Sequence, residues 1–325
     1  MLIDQIARSS QLEVDELVRL AQNASQHYKL YNIPKRNGEP RRIAHPSREL
    51  KAIQRWIVKV IIQRFPIHDA ATAYRTGGGI RENAERHRIS LYTNRYDFAN
   101  FFPSFKREQV QSFIQSESEK VGLLLSDDDA DFVGKIVCRY DRLTIGAPSS
   151  PSITNAMMFP FDQILFDYCV KRDLIYTRYA DDIFISANKS DQLNNLEVRI
   201  ADAKRKIPHL SIRLNRQKTA YLSKKYHRSI TGVVITPDHK LSVGRSRKRE
   251  IRALVHRWIN GKLDPIEVSY MRGLIAFARD IEPKFEVALR AKYGPQRIEE
   301  ILRRPDLTTT PGWPKEGNND DDVPF

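Results

Sequence analysis

The stretch that decides the fold runs from Leu174 to Ser186 and reads Leu-Ile-Tyr-Thr-Arg-Tyr-Ala-Asp-Asp-Ile-Phe-Ile-Ser. Two β-prone runs flank the acidic pair Asp181 and Asp182, which predicts a hairpin with both carboxylates at its tip. Neighbouring carboxylates repel each other unless a positive charge lies between them, and hard divalent cations such as Mg²⁺ prefer carboxylate oxygen. The alternative is an acidic turn that is merely solvated.

A third acidic residue comes at the end of another β-prone run. Residues 91–97 read as a strand that ends at Asp97, and an aromatic cluster follows in residues 98–105. A single Asp after a strand is often only the N-cap of a helix. Here we expect the strand to place the Asp97 carboxylate beside the tip of the Asp181 hairpin.

Composition points to a polyanionic partner. The chain has 325 residues and a formal net charge of +14, and its basic residues are spread along most of its length. Nucleic acid is the simplest partner for such a chain. Cys138 and Cys169 lie in no motif and read as reduced thiols of a cytoplasmic protein. We expect no membrane span and no signal peptide.

The N-terminal part predicts a basic ribbon and then helices. Asn37-Gly38 between β-prone arms predicts a hairpin that either follows a phosphate backbone or is simply soluble. The loop from Arg75 to Gly79 carries three glycines, which let backbone approach a ligand, and an arginine able to grip phosphate. Asn83 and His87 are four residues apart and share a helical face; such a pair is by itself more often structural than functional.

The remaining segments predict a phosphate-binding turn and a basic helical region. Residues 142–152 form a Gly/Pro/Ser turn before an apolar helix, and helix N-termini bind phosphate, although an ordinary capped helix start is the alternative. Residues 210–219 and 229–235 read as further strands. Residues 246–293 read as basic helices, and the chain loses apolar periodicity from Pro305.

Taken together, these motifs resemble those of reverse transcriptases, and bacterial retron reverse transcriptases most closely, over roughly residues 20–300. Two features resemble the retron enzymes in particular: the Asn83-Ala84-x-x-His87 element and the triplet Ile230-Thr231-Gly232, where Ile replaces the usual Val. The motifs of the general polymerase set follow the family's order: Arg41–Pro46 with Leu50–Gln54, Asp97 with its paired phenylalanines, Gly146–Pro151, Tyr179–Asp182, and Leu214-Asn215 with Lys218-Thr219.

The resemblance implies an α+β, right-hand polymerase fold with fingers, an RRM-like palm and a helical thumb. The corresponding ranges are an N-terminal helix and fingers at 1–90, a palm at 91–235 and a basic thumb at 236–304. A fingers-like helical insertion is expected at about 106–145 within the palm. A disordered linker with an acidic tip is expected at 305–325.

The resemblance also implies the chemistry of the site. Asp97, Asp181 and Asp182 would be catalytic and would hold two Mg²⁺ ions for nucleotidyl transfer. Phe102 would act as the aromatic gate against ribonucleotides, and Lys218 would protonate the leaving group or only anchor its turn. The full set of residues expected to contact the incoming nucleotide is Lys51, Arg75, Phe102, Gly146, Pro148, Ser149 and Lys218.

The implied partners are deoxynucleoside triphosphates and a dedicated structured noncoding RNA, part of which is copied into DNA from a 2′-hydroxyl primer. The product would be a branched RNA–DNA molecule, msDNA, and an effector protein would complete an anti-phage defence system. The residues expected to contact the RNA are Asn83, His87, Thr231, Gly232, Arg247, Arg249 and Arg252.

The C-terminal sequence Asp320-Asp321-Asp322-Val323-Pro324-Phe325 resembles the acidic tip of bacterial single-stranded-DNA-binding proteins. In that family the terminal Phe and its carboxylate anchor partner proteins. We therefore expect Pro324 and Phe325 to bind a protein that recognises such tips, with a solubilising tail as the alternative.

Two other functions remain open from the sequence. The chain resembles other bacterial reverse transcriptases too, such as diversity-generating or CRISPR-associated enzymes, and an adjacent noncoding RNA with inverted repeats would favour a retron. A protein of another class, an RNA-binding scaffold that restrains an effector, is the second alternative. An intact acidic triad argues against a purely structural role, because a scaffold has no need of all three carboxylates.

Overall fold

A computed structural model of the chain describes residues 2–34, 38–207, 210–225 and 228–303. The chain divides into two compact units, Met1–Ser242 and Val243–Phe325. No helix among the described residues is long and apolar enough to cross a membrane.

The first unit is built around antiparallel strands that come from distant parts of the chain. A central sheet has the order β4-β5-β3-β6, and β7 also pairs with β3. The strands of this unit are β1 (Tyr28–Pro34), β2 (Pro40–Pro46), β3 (Tyr92–Ala99), β4 (Ile175–Tyr179), β5 (Asp182–Ala187), β6 (Arg213–Leu214), β7 (Ala220–Ser223), β8 (Arg228–Ile230), β9 (Val233–Ile235) and β10 (Leu241–Ser242).

Helices surround these strands. They are α1 (Leu2–Ser10), α2 (Val14–Gln22), α3 (Arg48–Val60), α4 (Ile80–His87), α5 (Arg107–Glu117), α6 (Asp127–Val137), α7 (Ser149–Met157), α8 (Phe159–Val170) and α9 (Leu196–Arg205). The predicted N-terminal hairpin is confirmed, because β1 and β2 pair antiparallel from Tyr28↔Pro46 to Pro34↔Pro40. The segment that joins them includes residues 35–37, which lie outside the described ranges.

The two faces of the central sheet have different surroundings, since successive side chains of a strand point to opposite faces. On β3, Arg95 and Asp97 share one face, which also carries Asp182 of the neighbouring strand. Tyr96 and Phe98 lie on the opposite face, where Phe98 packs edge-on against Phe161 of α8 with ring centroids 5.7 Å apart. Helix α8 therefore covers the face behind the carboxylates, and on the acidic face α4 packs through His87 against Thr177 and Ser186, away from Asp97 and Asp182.

The second unit is helical and basic, as the sequence predicts. Asp264 caps α11 by accepting a hydrogen bond from the backbone N–H of Glu267 at 2.8 Å. Ile251, Met271 and Ile275 are fully buried in its core. The helices are α10 (Arg245–Ile259), α11 (Pro265–Ile281), α12 (Pro283–Tyr293) and α13 (Pro295–Leu302).

The α+β class is confirmed, and these are the elements of a right-hand polymerase. The division of the first unit into fingers and palm remains a prediction. Strands β9 and β10 belong to the first unit, so the boundary between the two units lies after Ser242 in the sequence. Residues 304–325, including the predicted acidic tip, lie outside the described ranges.

Candidate active site

The predicted acidic hairpin is present. Strands β4 and β5 pair antiparallel with Tyr179 opposite Asp182, so Ala180 and Asp181 form a two-residue turn. Ala180 has a φ of +53°, in the left-handed region that such tight turns require. This geometry puts two consecutive carboxylates at the tip.

The third acid joins the same site. Asp97 lies directly opposite Asp182 on the adjacent strand β3. The backbone N–H of Phe98 donates a hydrogen bond of 3.0 Å to the carbonyl oxygen of Asp181, which ties the turn to β3. Three carboxylates from two distant segments therefore converge at one end of the sheet.

Mutual repulsion and burial perturb these carboxyl groups. Burial, followed by the charge of Asp181, raises the pKa of Asp182 to about 7. Burial, followed by the charge of Asp97, raises the pKa of Asp181 as well. The guanidinium of Arg95 acts in the opposite direction on Asp182, but its Nε lies 3.9 Å away. Such a cluster gains free energy from an added cation.

Lys218 supplies one positive charge. Its ammonium nitrogen lies 3.0 Å from both carboxylate oxygens of Asp97. The backbone supports this contact, because the N–H of Asn215 donates to the carbonyl of Asp97 at 2.7 Å just before the short 3-10 helix of Lys218. Lys218 remains 56% exposed, so its ion pair can exchange with another cation.

The carboxylate oxygens of Asp97, Asp181 and Asp182 are ligands of the kind that hard divalent cations prefer, and such a cation would relieve their mutual repulsion. In the described part of the chain no group of three His, Cys, Asp or Glu side chains is gathered closely enough to hold a metal ion. Both oxygens of Asp97 contact Lys218 instead. Lys218 must therefore give up this contact before the three carboxylates can share a cation.

A buried ion pair fixes the catalytic turn from behind. Arg178 and Asp162 have no exposed surface, and Nη2 of Arg178 lies 2.7 Å from a carboxylate oxygen of Asp162. The Nη1 group of Arg178 donates to the carbonyl of Ala180 at 3.1 Å. Tyr176 donates to Asp162 at 2.7 Å, and Asn155 accepts from Arg178. The turn backbone is thus held by a satisfied polar network, which the sequence analysis did not identify.

Gly146 sits where no side chain fits. Its φ is +107°, and a Cβ atom would lie 2.6 Å from the carbonyl oxygen of Ala44. The Ala44 N–H donates to the carbonyl of Ile145 at 2.9 Å, so this motif packs against β2. Pro148 precedes α7, and the fully buried Ser149 hydroxyl in its first turn has no hydrogen-bond partner within the described ranges.

The other residues predicted to contact nucleotide occupy varied positions. Arg75 is ion-paired with Glu82 and donates to the carbonyl of Ala71 at 2.7 Å, so a phosphate would compete with these contacts. Phe102 is half-buried against Phe101, with ring centroids 5.5 Å apart. Lys51 is half-buried on α3.

Asn83 and His87 require a correction. Both are fully buried, so they offer no surface to the RNA that they were predicted to contact. The hydroxyl of Thr177 on β4 donates to Oδ1 of Asn83 and lies 2.7 Å from Nε2 of His87. Ser186 on β5 lies 2.7 Å from Nδ1 of the same ring. These side chains join α4 to the central sheet.

Thr231 and Gly232 form the turn between β8 and β9, and both have positive φ, +47° and +82°. The Thr231 hydroxyl donates to the carbonyl of Ile80 at 3.2 Å, at the first residue of α4. At the other end of α4, the buried Arg228 donates to the carbonyl of Arg88 at 2.8 Å. The two retron-like sequence elements therefore meet in one assembly.

In the second unit, the predicted RNA-contacting arginines lie on α10. The guanidinium carbon of Arg247 is 4.6 Å from the ring centroid of Phe277, and that of Arg252 is 5.1 Å from the ring centroid of Phe285. Arg249 and Arg252 are exposed. Pro324 and Phe325 lie outside the described residues.

Comparison with known proteins reveals the relatives of this chain. The reverse transcriptase (RNA-dependent DNA polymerase) family profile matches residues 33–235. Retron Ec83 reverse transcriptase of Escherichia coli is 39% identical over 88% of this chain and 93% of its own length. Retron Ec86 reverse transcriptase, also of Escherichia coli, is 30% identical and covers 89% of each chain. Among solved structures, telomerase from Candida tropicalis with a fragment of telomeric RNA is 9% identical, covers 90% of this chain and 61% of that one, and has a TM-score of 0.49.

Proposed function

Because this chain belongs to the reverse transcriptase family as a retron-type RNA-directed DNA polymerase, we propose that it copies part of a dedicated noncoding RNA into DNA. Synthesis starts from a 2′-hydroxyl of that RNA, so the product is branched msDNA. The relatives that this chain matches over most of its length are retron enzymes, which favours this class over diversity-generating or CRISPR-associated ones.

The observation that carries the proposal is the convergence of Asp97, Asp181 and Asp182. Asp97 and Asp182 face each other across adjacent strands, and the Phe98–Asp181 backbone hydrogen bond holds the turn beside them. A noncatalytic RNA-binding scaffold has no use for a carboxylate cluster whose mutual repulsion costs free energy. We therefore assign the site to nucleotidyl transfer.

The three carboxylates would hold two Mg²⁺ ions, with Asp182 assisting Asp97 and Asp181. When bound, these ions activate the attacking hydroxyl and neutralise the triphosphate and the leaving pyrophosphate. The protein itself positions the groups and supplies fixed charge, which is most of what phosphoryl transfer needs. Displaced from Asp97, the Lys218 ammonium is available to the leaving phosphate.

The surroundings of the carboxylates would select and orient the nucleotide. Phe102 follows β3 and packs against Phe101, whose ring is itself stacked on Phe98, as a rigid gate against a ribose 2′-hydroxyl requires. Gly146 brings the start of α7 close to β2, so template and incoming nucleotide would lie against its backbone. Lys51 and Arg75 add positive charge for the phosphates.

RNA would be held by charge as well as by pairing with the growing strand. The exposed Arg249 and Arg252 of α10 are candidates for phosphate contacts, and binding should weaken as salt concentration rises. Thr231 and Gly232 form a half-buried turn next to α4 and keep their predicted role in RNA recognition. An effector protein, an anti-phage role and a partner for Pro324 and Phe325 complete the proposal and rest on resemblance alone.

The experiment is to purify the chain, expressed with its neighbouring DNA, and to digest the nucleic acid that comes with it. We expect a species that is sensitive to both RNase and DNase and that a debranching enzyme splits into its RNA and DNA parts. The matched control is the Asp181→Asn, Asp182→Asn variant, which should copurify with RNA only. Nucleic acid sensitive to RNase alone in both samples would contradict the proposal.

A further inference from the structure

A groove lies on the face of the central sheet that points away from the carboxylates. It has a volume of about 560 Å³, and β3, β7 and the segment that leads into α9 enclose it. Tyr92, Asn94 and Tyr96 line it, and they alternate along β3 with the residues that share the face of Asp97. The groove is therefore separate from the polymerase site.

Aromatic rings dominate the sheet side of this groove. Tyr221 of β7 pairs with Asn94, and Ser223 pairs with Tyr92, so Tyr221 and Tyr92 are diagonal neighbours on one face. Tyr221 is 72% exposed, so the face of its ring is accessible to a ligand in the groove. Tyr96 forms the floor, and its hydroxyl accepts a hydrogen bond from Asn94 at 3.0 Å.

The opposite wall is polar and presents amide groups. Asn194 and Asn195 are exposed there, and Leu193 and Leu196 are buried beneath them. Amide side chains donate and accept hydrogen bonds at once, as the edges of nucleobases require. A flat ring and an amide group together provide the two contacts by which proteins hold unpaired bases.

Charged residues of both signs border the groove. Glu197 is the acidic residue of the lining, and Arg216, whose side chain is 85% exposed, lies 3.5 Å from its carboxylate. Lys189 and Asp191 flank the lining residue Ser190 in the sequence, and both are exposed. A phosphate backbone that crosses the rim would meet the guanidinium of Arg216 in competition with Glu197.

We propose that this groove binds unpaired nucleotides of a nucleic acid strand, with at least one base stacked on Tyr221. Bases stacked on exposed aromatic rings, with basic side chains near the backbone, are how proteins hold single strands without reading their sequence; Tyr221 and Arg216 supply one of each here. The strand would be an unpaired part of the RNA outside the copied region or of the DNA product. The proposal depends on the groove alone and holds whichever RNA the enzyme copies.

The test separates this groove from the template channel. The full chain is first saturated with an unlabelled RNA template annealed to a DNA primer, and the binding of a fluorescent ten-nucleotide single strand is then measured. RNA and DNA versions of the probe are compared. The variants are Tyr221→Ala, which removes the ring, and Tyr221→Phe, which keeps it. Extension of the annealed primer is measured on the same samples.

We expect wild type to bind the probe in the presence of the template–primer. Tyr221→Ala should weaken this binding about 5- to 50-fold, the range expected for loss of one stacked base. Tyr221→Phe should bind within about twofold of wild type, because stacking depends on the ring rather than on the hydroxyl. Primer extension should stay unchanged in both variants, which distinguishes this result from a failure of the polymerase assignment.

Binding of the RNA probe, the DNA probe or both supports the proposal, and the preference tells which strand occupies the groove. Equal binding by wild type and Tyr221→Ala would overturn it. Complete loss of probe binding once the template–primer is present would also overturn it, because the template channel would then be the site of single-strand binding. If neither probe binds wild type, the groove has another occupant, such as a protein, and the proposal is wrong.

Discussion

The ammonium group of Lys218 lies 3.0 Å from both carboxylate oxygens of Asp97. This contact brings a cation to the acidic cluster from the protein itself. It also lowers the affinity of the site for a divalent ion, because an ion that binds Asp97 must displace the lysine. The Lys218–Asp97 pair therefore links the resting site to its proposed chemistry.

Replacing Lys218 with Met should let the cluster bind divalent cations more readily. Loss of a partly exposed ion pair worth up to about 1 kcal/mol predicts that the Mg²⁺ concentration for half-maximal thermal stabilisation falls roughly three- to fivefold. The melting temperature is measured against Mg²⁺ concentration, independently of activity. Lys59→Met, at an exposed position on α3, is the matched control. An unchanged Mg²⁺ dependence in Lys218→Met would contradict the competition.

The buried Arg178–Asp162 pair should have two effects that mutations can separate: it stabilises the fold, and it positions the turn of Ala180 and Asp181. Asp162→Asn leaves the guanidinium buried without a carboxylate and should lower the free energy of unfolding by about 3–5 kcal/mol. The double variant Arg178→Met, Asp162→Leu should recover much of this loss, since apolar residues of similar volume often replace a buried pair at little cost.

Primer extension should not recover in that double variant. The Ala180 carbonyl loses its donor, so the turn that carries Asp181 is held less firmly, by its backbone hydrogen bond from Phe98 without the one from Arg178. Urea unfolding and single-turnover extension are measured on the same preparations. Full extension activity in a stable double variant would show that Arg178 does not position the turn.

His87 should make the stability of the protein depend on pH. Burial lowers its pKa to about 3 in the folded state, whereas an unfolded histidine titrates near 6.5. Below pH 6.5 the unfolded chain therefore binds a proton at His87 that the folded chain does not bind. The contribution of His87 to the free energy of unfolding is complete above pH 6.5 and decreases as the pH falls below it. The loss attributable to His87 between pH 7.5 and 4.5 is about 2–3 kcal/mol.

The check is a comparison of wild type with His87→Gln by urea unfolding at several pH values. The difference in unfolding free energy between the two proteins should shrink by that amount from pH 7.5 to 4.5, and contributions from the acidic cluster cancel in it. A difference that stays constant with pH would mean that His87 binds its proton equally well in the folded and the unfolded chain, and would contradict the lowered pKa.

Gly146 should tolerate no side chain. A Cβ atom would lie 2.6 Å from the Ala44 carbonyl and 2.8 Å from Cγ2 of Ile43, in a backbone with φ of +107°. Gly146→Ala should therefore cost about 1–3 kcal/mol of stability and raise the apparent KM for nucleotide. Gly273→Ala is the control, because Gly273 lies within α11 with nothing within 4 Å of an added Cβ; it should be neutral or stabilising. Equal stability of the two variants would contradict the close approach.

Local pattern predicts the acidic hairpin and the strand of Asp97, because alternation and turn chemistry are local properties. It does not reveal the Lys218–Asp97 contact or the Arg178–Asp162 pair, whose partners are distant in the sequence. The signals for the pair were present: Arg178 interrupts an apolar strand, and Asp162 lies in an apolar helix. A charged residue in each of two buried elements is itself a reason to expect a pair.

The burial of Asn83 and His87 has a physical cause that the sequence does not show. Helix α4 carries few apolar residues, so its pattern does not mark which face is buried. Its inner face is instead satisfied by Thr177 and Ser186, hydroxyl residues of two strands far along the chain. Polar burial of this kind depends on tertiary partners and cannot be read from spacing alone. The resemblance to retron enzymes identified the Asn83-Ala84-x-x-His87 element but did not show that both side chains are buried.

The central claim is that Asp97, Asp181 and Asp182 act together on a shared pair of cations. The most direct measurement is primer extension by Asp181→Asn, Asp182→Asn alongside RNA binding by the same protein. Asp173→Asn makes the same chemical change at an exposed residue with φ of +55°, which Asn tolerates, and serves as the control. We predict that extension falls by at least roughly a hundredfold in the double variant while RNA affinity and the control stay near wild type. Extension at the wild-type rate by the double variant would contradict the claim.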